Sequence, residues 1–332
     1  MATMSDVAKL AQVSISTVSR VLSEKVHVDA ETKEKVFRAI DTLQYRPNVL
    51  AQGLKGVGTK TIALILPNIC NPSFPKAARG AEDAARRRGY IVITCNTDED
   101  LHLERMYVEH LRTRFIDGII FATVTDSSEH ILKMRNEGFP VAQLMRYQDN
   151  DVNRVHIDNF EAGYTVASHL IRGGCQKIAI LRGDVRMPHL RHRFDGICKA
   201  FADHAVRYDP FLVEPLEIGD DHGLLATQRL MSKNRPFDGL ICMNDSAALG
   251  GMQVLKRNGL KIPKDVSLIG IDNLDFTSFL EPLLTTLEQP LYEMGYAACE
   301  LVMDTIEGKV PNRNITRILN TRLIERDSTR PF

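Results

Sequence analysis

The first 45 residues contain three short segments in which apolar side chains recur at helical spacing. They cover residues 5–11, about 16–22, and a stretch that begins near Asp29. Ser5 stands where a hydroxyl can accept hydrogen bonds from the free backbone N–H groups at a helix start. The side chains expected to face a shared core are Val7, Leu10, Ala11, Val18, Val21, Leu22, Val36, Phe37, Ile40 and Leu43. The pattern predicts a small unit of three helices around one core.

From residue 61 the pattern changes to short apolar runs that alternate with amphipathic helices. Runs that are buried on both faces and joined by crossover helices are typical of parallel sheets. The runs are 62–66, 90–95, 117–122, 140–144, 154–157, 177–181, 211–216, 239–243 and 266–271, and helices are expected at 160–172, 193–204, 223–234 and 246–258. About nine strands in two sets predict an α/β fold of two doubly wound parallel-sheet lobes, in which ligands bind beyond the carboxyl ends of the strands.

A segment with weak helical signals separates these two regions. Pro47 halts the third helix, because its ring removes a backbone donor and biases Arg46 toward extended conformations. Residues 48–55 can form one or two helical turns, but Gly53 disfavours them by about 1 kcal/mol relative to alanine. A helix so short is marginal alone, so we expect it to need a partner. Residues 56–59 complete a flexible linker.

Composition and charge narrow the class of protein. The 332 residues, 44% of them hydrophobic, can fill two or three compact units. The net charge is zero, which argues against binding to nucleic acid or anionic membrane by bulk charge, although residues 1–60 carry nine Lys and Arg against six Asp and Glu. The six scattered cysteines form no C-x-x-C pair, so we expect a reduced cytoplasmic protein without a zinc site. The first residues show no export signal and no apolar run is long enough to span a membrane, so neither export nor insertion is expected.

The second predicted helix presents a polar face rich in hydroxyl groups. Its outward side chains are Ser16, Thr17, Ser19 and Arg20, and it follows the turn Gln12-Val13-Ser14. Two helices joined by a tight turn, the second of them polar, suit insertion of the second helix into the DNA major groove. Ile15 can contact a thymine methyl, Ser16 can donate or accept, and Arg20 can bond guanine through two donors. On the pattern alone, an ordinary helical hairpin with a solvated polar face fits equally well.

The same residues resemble the DNA-binding segment of the LacI/GalR repressors. That family's pattern is D-V-A, A-G-V-S, T-V-S-R-V-L, then Y-x-P-N-x-x-A-x-x-L, and this chain reads SDVAKLAQVSISTVSRVL and YRPNVLAQGL. The resemblance continues through NPSF (71–74), IDNFEAGY (157–164), RFDG (193–196), MNDSAALG (243–250) and VSLIGIDN (266–273). It implies a helix-turn-helix headpiece, a hinge, and a core like that of periplasmic sugar-binding proteins.

The resemblance implies particular contacts with DNA. The positions that match are Ser5, Ile15, Ser16, Thr17, Ser19, Arg20, His27, Asn48 and Leu54. Ile15, Ser16 and Arg20 would read bases. In that family the segment after the proline becomes a hinge helix on DNA, pairs with its dimer mate in the minor groove and wedges its leucine, here Leu54, into a base step, which bends the duplex. Taken alone, Leu54 is equally a linker residue packed on a lobe.

Two departures from the family pattern affect this transfer. Gln12 stands where the family usually has the turn glycine, so the turn is strained if it keeps a positive φ. Gly53 lies inside the expected hinge helix and makes that helix more dependent on DNA. Replacing Gly53 with alanine should tighten operator binding.

The resemblance also implies an effector site in the cleft between the lobes, where the chain would cross near residues 159–162, 288–291 and 319–322. The matching positions are Ser73, Phe74, Asp158, Met187, His189, Arg193, Asn244 and Asp272. A carboxylate and a guanidinium that face one another can hold adjacent hydroxyls of a neutral polyol, or Arg193 can pair with an acidic ligand.

Each of these residues also has a structural interpretation. Arg193 can pair with Asp195 or Asp184, an aspartate after a strand often caps the next helix, and Phe74 can belong to the core. The chain has no tryptophan, so stacking on a sugar ring would fall to Phe or Tyr. The residues do not separate a sugar from a sugar acid or a nucleobase.

These observations predict a homodimeric transcription regulator, in its simplest form a repressor, that binds a palindromic operator and is controlled by a sugar or sugar derivative without a cofactor. The expected boundaries are a headpiece at 1–46, a hinge and linker at 47–60, and a core at 61–332 with lobe 1 at 61–159 and 291–320 and lobe 2 at 160–289 and 321–332. The alternatives are a co-repressed regulator that responds to a nucleobase or partner protein, a solute-binding protein, and a Rossmann-type enzyme.

The glycines near residue 56 precede the first strand instead of following it, which is the wrong place for a phosphate-binding loop. No leucine heptad follows residue 325, so a tetramer through the tail is not expected.

Overall fold

The computed structural model describes residues 2–23, 28–45, 58–113, 116–123, 128–216 and 223–331. The chain divides into two compact units, Met1–Thr59 and Lys60–Phe332. Each unit has its own core.

The first unit contains the three predicted helices, α1 (Met4–Ala11), α2 (Ile15–Ser23) and α3 (Ala30–Thr42). Its core consists of Val7, Ala8, Ala11, Val18, Val21, Val36, Ala39 and Tyr45. Leu10 and Phe37, which the pattern assigns to this core, are instead each 50% exposed. Valines and alanines make up most of this core, and the larger Leu10 and Phe37 lie outside it, each one position from a core residue.

The start of α1 also differs from the expectation. Thr3 is the capping residue: its hydroxyl oxygen accepts from the backbone N–H of Asp6 at 3.3 Å, and the Asp6 carboxylate accepts from the backbone N–H of Thr3 at 2.9 Å. This reciprocal pair satisfies two donors at once. Ser5 lies within the first turn and is not the cap.

The second unit is built on two six-stranded sheets. The first has the strand order β11-β5-β4-β3-β1-β2 and the second β12-β10-β9-β8-β6-β7. Every pairing is parallel except that of β12 with β10. The strands are β1 (Thr61–Leu66), β2 (Ile91–Asn96), β3 (Gly118–Phe121), β4 (Val141–Leu144), β5 (Asn153–Ile157), β6 (Ile178–Arg182), β7 (Val213–Pro215), β8 (Gly239–Cys242), β9 (Ser267–Asp272), β10 (Thr285–Glu288), β11 (Thr316–Leu319) and β12 (Arg322–Ile324).

Helices cover both faces of each sheet. They are α4 (Ser73–Arg87), α5 (Leu101–Thr113), α6 (Glu129–Asn136), α7 (Asn159–Arg172), α8 (Pro188–Asp203), α9 (Leu224–Ser232), α10 (Asp245–Arg257) and α11 (Leu291–Ile306), with short 3₁₀ turns at Pro210–Leu212 and Asp275–Ser278. We call the part built on the first sheet lobe 1, where α4 and α11 pack opposite α5 and α6. In lobe 2, built on the second sheet, α7 and α8 pack opposite α9 and α10. The predicted pair of doubly wound lobes is confirmed.

The strand predictions were wrong in two respects. Residues 211–216, predicted as one strand, form part of a 3₁₀ turn followed by the short strand β7. The strands β10, β11 and β12 were missed, because polar residues interrupt their sequences, although Thr285 and Thr286 are fully buried in β10.

The strand β2 occupies the edge of the first sheet and is not buried on both faces. Ile91 is 62% exposed and Ile93 is 39% exposed. An edge strand has a neighbour on one side only, which leaves this apolar strip on the surface of lobe 1.

Candidate functional site

The α2 helix is anchored by two buried valines and turns its other side chains outward. Val18 and Val21 lie in the core of the first unit, whereas Ile15 is 50% exposed and Ser16 and Arg20 are also exposed. The half-buried residues between these are Thr17 and Ser19. One side of a short helix thus offers an apolar contact, hydroxyls and a guanidinium. These are the groups that read base edges in a major groove.

The turn before α2 keeps the left-handed conformation at Gln12, with φ 55° and ψ 41°. The backbone N–H of Val13 donates to the carbonyl oxygen of Ala8 at 3.0 Å and closes α1. The hydroxyl of Ser14 accepts from the backbone N–H of Thr17 at 3.1 Å and caps α2. The same hydroxyl lies 2.7 Å from that of Ser16. These bonds fix the angle between the two helices.

The remaining predicted DNA contacts fall outside or beside this face. Ser5 is half-buried on α1. His27, Asn48 and Leu54 lie outside the described residues, as does Gly53.

In the second unit, the carboxyl end of β9 meets the start of α4 from the opposite lobe. The Ser73 hydroxyl donates to the Asp272 carboxylate at 3.0 Å, and the Gln289 side-chain amide donates to the other oxygen of the same carboxylate at 2.5 Å. All three residues are buried. Burial raises the pKa of Asp272 above its usual value, while the charge of Arg193 opposes that rise.

Arg193 projects from α8 into the same region and is only 5% exposed. Its guanidinium donates to the carbonyl oxygen of Met243 at 2.6 Å and to the side-chain oxygen of Asn159 at 2.8 Å. Its Nε has no hydrogen-bond partner. Burial lowers the pKa of Arg193, and the Asp272 carboxylate counteracts this effect. The alternative in which Arg193 pairs with Asp184 was wrong, because Asp184 bonds Arg186. Among the described residues, Arg193 bonds Met243 and Asn159, and no bond joins it to Asp195.

The position of Arg193 depends on a close crossing between α7 and α8. A Cβ atom at Gly163 of α7 would lie 1.8 Å from the carbonyl oxygen of Arg193. Only a residue without a side chain permits that approach. The helices approach as closely at a second point of the same crossing, where a Cβ atom at Gly196 would lie 2.0 Å from the carbonyl oxygen of Phe160.

His189 lies one helical turn before Arg193 and is buried, with no partner at its Nδ1. Burial, together with the charges of Arg146 and Arg193, lowers the pKa of His189 well below its usual value. The imidazole is therefore neutral, and its Nδ1 can bond a ligand.

Aromatic side chains line the lobe 1 side of this region. The Tyr147 ring stacks on His156 with centroids 4.1 Å apart, and its hydroxyl lies 3.0 Å from Nδ1 of His192 in lobe 2. Phe74 is buried beside the guanidinium of Arg146, which lies 5.6 Å from the ring centroid. The cleft therefore combines flat apolar surfaces with hydrogen-bonding groups, as binding sites for small molecules do.

Five of the eight predicted cleft residues lie in this region, namely Ser73, Phe74, His189, Arg193 and Asp272. The other three lie differently. Asp158 is exposed and caps α7, since its carboxylate accepts from the backbone N–H of Glu161 at 2.9 Å. Asn244 caps α10 by accepting from the backbone N–H of Ala247 at 2.7 Å. Met187 is half-buried just before α8.

Sequence reasoning missed four residues of this region, Tyr147, Asn159, Asp245 and Gln289. Asn159 is the next residue after Asp158, which was the sequence-based choice, so the error there was one position. Gln289 follows β10, a strand that the hydrophobic pattern did not reveal. Asp245 begins the helix α10, three residues after β8 ends, and its place near a strand end was a usable signal.

The described residues contain neither a metal-ligand cluster nor a membrane-spanning helix. No group of three or more His, Cys, Asp and Glu side chains there can hold a metal ion. Within the same ranges, no helix has the length and apolar character needed to cross a membrane.

Comparison with known families accounts for nearly the whole chain. Residues 3–48 match the model of bacterial regulatory proteins of the lacI family. Residues 59–325 match the model of periplasmic binding proteins and the sugar-binding domain of the LacI family.

Individual relatives agree with these matches. A ribose operon repressor of Halalkalibacterium halodurans is 33% identical over 99% of this chain and 98% of its own. A LacI family transcriptional regulator from Enterococcus faecium with bound ribose is 29% identical, with a TM-score of 0.73 over 82% of this chain and 99% of its own. The Lac repressor dimer bound to operator and the anti-inducer ONPF is 24% identical and shares the fold, with a TM-score of 0.87 over 98% of each chain.

Proposed function

The chain belongs to the LacI family of bacterial regulatory proteins. We propose that it is a repressor whose affinity for a palindromic operator is controlled by a sugar or sugar derivative. It is a DNA-binding transcription regulator. The observation that carries the proposal is the presence, in one chain, of an outward polar face on α2 and a buried polar cleft between two lobes.

The DNA-binding part of the proposal is supported by α2. Ile15, Ser16 and Arg20 are exposed on the helix that follows the turn. We propose that these side chains read base edges, that Thr17 and Ser19 contact phosphates, and that His27, Asn48 and Leu54 contribute from outside the described residues. A bidentate arginine–guanine contact contributes about 1–3 kcal/mol of discrimination against the wrong base.

The effector part of the proposal is supported by the cleft. Asp272, Ser73 and Asn159 supply oxygen acceptors and hydroxyl or amide donors, and Arg193 and His189 keep one nitrogen each without a partner. Unpaired buried polar atoms are costly, and a ligand rich in hydroxyls can satisfy them. Ribose, which is bound to the Enterococcus faecium regulator, is a ligand rich in hydroxyls.

We propose that the protein is a homodimer, since the Lac repressor, which shares its fold, was solved as a dimer bound to operator. A twofold-symmetric protein matches a palindromic site, because each headpiece reads one half-site. We further propose that the protein acts in the cytoplasm, where its DNA lies, and that it is a regulator without enzymatic activity.

The test is an operator selection followed by effector titration. The full-length protein would select duplexes from a random pool, and its affinity for the selected and scrambled sequences would be measured at one fixed salt concentration. The titration would then be repeated with D-ribose, other pentoses, hexoses, sugar acids, purines and pyrimidine nucleosides.

We expect a palindromic consensus, bound at least a hundredfold more tightly than scrambled DNA, and one sugar that shifts this affinity. A rise in affinity instead of a fall would make that sugar a co-repressor. Equal affinity for palindromic and scrambled DNA would overturn the assignment as a sequence-specific repressor, and a response to nucleobases alone would overturn the sugar class.

A further inference from the structure

The turn after β9 holds two consecutive residues in backbone conformations that favour glycine. Asp272 has φ 129° and Asn273 has φ 56°. L-residues enter this region only when the surroundings hold them there, and such positions cluster at functional sites. Asp272 is the residue whose carboxylate meets Ser73 of the opposite lobe. The groups that hold this turn therefore control where that carboxylate points.

Two side chains, those of Asp245 and Thr286, accept hydrogen bonds from the backbone N–H groups of this turn. The Asp245 carboxylate accepts from the backbone N–H of Leu274 at 2.8 Å and from the Thr286 hydroxyl at 2.6 Å. The Thr286 oxygen in turn accepts from the backbone N–H of Asn273 at 3.3 Å. Both N–H groups that follow Asp272 are thus bonded to the Asp245–Thr286 pair.

The fold leaves room for this arrangement at one further position. A Cβ atom at Gly270, two residues before Asp272 on β9, would lie 2.2 Å from an oxygen of the Asp245 carboxylate. A contact that short cannot exist, so the carboxylate occupies space that a side chain at Gly270 would take. Three elements, α10, β9 and β10, are shaped around one buried acid.

Burying a second carboxylate next to Asp272 is costly. Asp245 is fully buried, and burial together with the Asp272 charge raises its pKa. A group with such a desolvation cost contributes little net stability, even when it is hydrogen-bonded. Its hydrogen bonds, however, all lead to the turn that carries Asp272.

We propose that Asp245 and Thr286 are positioning residues for effector binding: they fix the turn that presents the Asp272 carboxylate to Ser73 and to the ligand. The inference rests on the proposed function in one respect, namely that the effector contacts Asp272. Neither Asp245 nor Thr286 touches the ligand itself. They act through the direction in which the β9 turn points.

The experiment compares two adjacent threonines of β10. Thr286→Val removes the hydroxyl that serves the turn, and Thr286→Ser restores it. Thr285→Val is the matched control, because Thr285 is equally buried but its hydroxyl oxygen bonds other partners, the Thr329 hydroxyl and the backbone N–H of Arg326, each at 2.9 Å. The affinity of the full-length protein for D-ribose would be measured by calorimetry for all three variants.

We expect Thr286→Val to weaken D-ribose binding tenfold or more, while Thr286→Ser and Thr285→Val stay within threefold of the parent. Thermal unfolding would show whether the two valine variants are destabilised alike. Equal losses of affinity in both valine variants would mean general loosening of the sheet and would overturn the proposal. Unchanged affinity in Thr286→Val would overturn it as well.

A second readout works without ligand and separates this inference from the sugar assignment. Hydrogen exchange at the Asn273 amide in Thr286→Val, and at the Leu274 amide in Asp245→Ala, is expected to be at least tenfold faster than in the parent, and unchanged in Thr285→Val. If the parent fails to bind D-ribose, that sugar is excluded as the effector, while faster exchange still supports the positioning role. Unaltered exchange at both amides would overturn that role whatever the ligand is.

Discussion

The hydroxyl of Ser73, at the start of α4 in lobe 1, donates a hydrogen bond of 3.0 Å to the carboxylate of Asp272, at the end of β9 in lobe 2. Both side chains are buried, and each sits where its own element meets the cleft. A ligand that enters between the lobes must either replace this bond or add to it. Because a ligand shifts an equilibrium only by binding one state better, its effect on the operator depends on which lobe arrangement preserves its contacts.

We expect Arg20→Ala to abolish discrimination between the selected operator and a scrambled duplex. The guanidinium is exposed on α2, and loss of one base contact costs about 1–3 kcal/mol of discrimination, or roughly 5- to 150-fold. Affinities for both duplexes would be measured by fluorescence anisotropy at one salt concentration. Arg38→Ala is the control, since Arg38 is an exposed arginine of α3 that pairs with Glu34. If Arg20→Ala and Arg38→Ala each weaken binding to the operator and to the scrambled duplex by the same factor, Arg20 contributes only positive charge to binding and does not read a base.

We expect Gln12→Gly to stabilise the first unit by roughly 0.5–1 kcal/mol. Gln12 holds φ 55°, which is strained for a residue with a Cβ atom, and glycine removes that strain at some cost in unfolded-chain entropy. Hydrogen exchange at Val7 and Val18, two buried core residues, would report the local opening free energy. Gln12→Ala keeps the Cβ atom and should give no gain. Slower exchange in the alanine variant as well would show that φ is not the cause.

The fate of Gln12 shows what sequence reasoning could reach in this chain. Its departure from the family glycine predicted strain if the turn keeps a positive φ, and the observed φ of 55° meets that condition. The strands β1, β3, β8 and β9 were found because they are buried on both faces and hence read as continuous apolar runs. The strand β10 was not, because Thr285 and Thr286 are buried with their hydroxyls bonded, which hydrophobicity does not register.

The candidate cleft was harder to predict, since its geometry depends on contacts between residues far apart in the chain. Position after a strand pointed equally to Asp158 and Asp272, but Asp158 turns back to cap its own helix whereas Asp272 reaches Ser73 of the other lobe. The two outcomes differ in backbone conformation, and sequence gives no value of φ at Asp272. Partners such as Gln289 and Asn159 follow only once the sheet order is known.

We expect Gly163→Ala to destabilise the core by about 1–3 kcal/mol and to weaken effector binding. The added Cβ atom would lie 1.8 Å from the Arg193 carbonyl oxygen, so α7 and α8 must move apart and carry the guanidinium with them. Thermal unfolding and effector calorimetry measure the two effects. Gly251→Ala, in α10, is the control, because its Cβ would come no closer than 3.2 Å to another atom, the flexible end of Leu240. Unchanged effector affinity in a destabilised Gly163→Ala protein would separate packing from positioning of Arg193.

We expect Ile91→Glu to weaken the proposed homodimer at least tenfold. Ile91 is the more exposed of two isoleucines on the edge strand β2, and an apolar strip of this kind is suited to contact with a second copy. Sedimentation velocity across a concentration series would give the dissociation constant. Ile318→Glu makes the same change on β11, the opposite edge of the same sheet, and should leave the dimer intact. A dimer that survives Ile91→Glu and dissociates with Ile318→Glu would place the interface at β11.

We expect the stability of the core to fall as the pH rises from 5.5 to 8, through the buried acids Asp245 and Asp272. Burial and the neighbouring Asp272 charge raise the pKa of Asp245 to about 7. Burial raises the pKa of Asp272 to about 6, against the opposing effects of Arg193, Gln289 and Ser73. An acid whose folded pKa lies above its unfolded pKa favours folding when protonated, and that contribution is lost as the pH rises through the folded pKa.

The variant Asp245→Asn isolates this effect because it cannot ionise. The basic groups that face Asp245 and Asp272 from α4, α8 and the segment after β12 are Lys76, Arg193 and Arg326. The buried histidines His156, His169 and His189 have lowered pKa values and act in the opposite direction below about pH 6.5, but they are common to both proteins.

The free energy of unfolding, from urea titrations at several pH values, should therefore decline by about 2 kcal/mol more in the parent than in Asp245→Asn. Parallel profiles would mean that Asp245 is already ionised at pH 5.5, and that its hydrogen bonds from Leu274 and Thr286 outweigh the effect of burial.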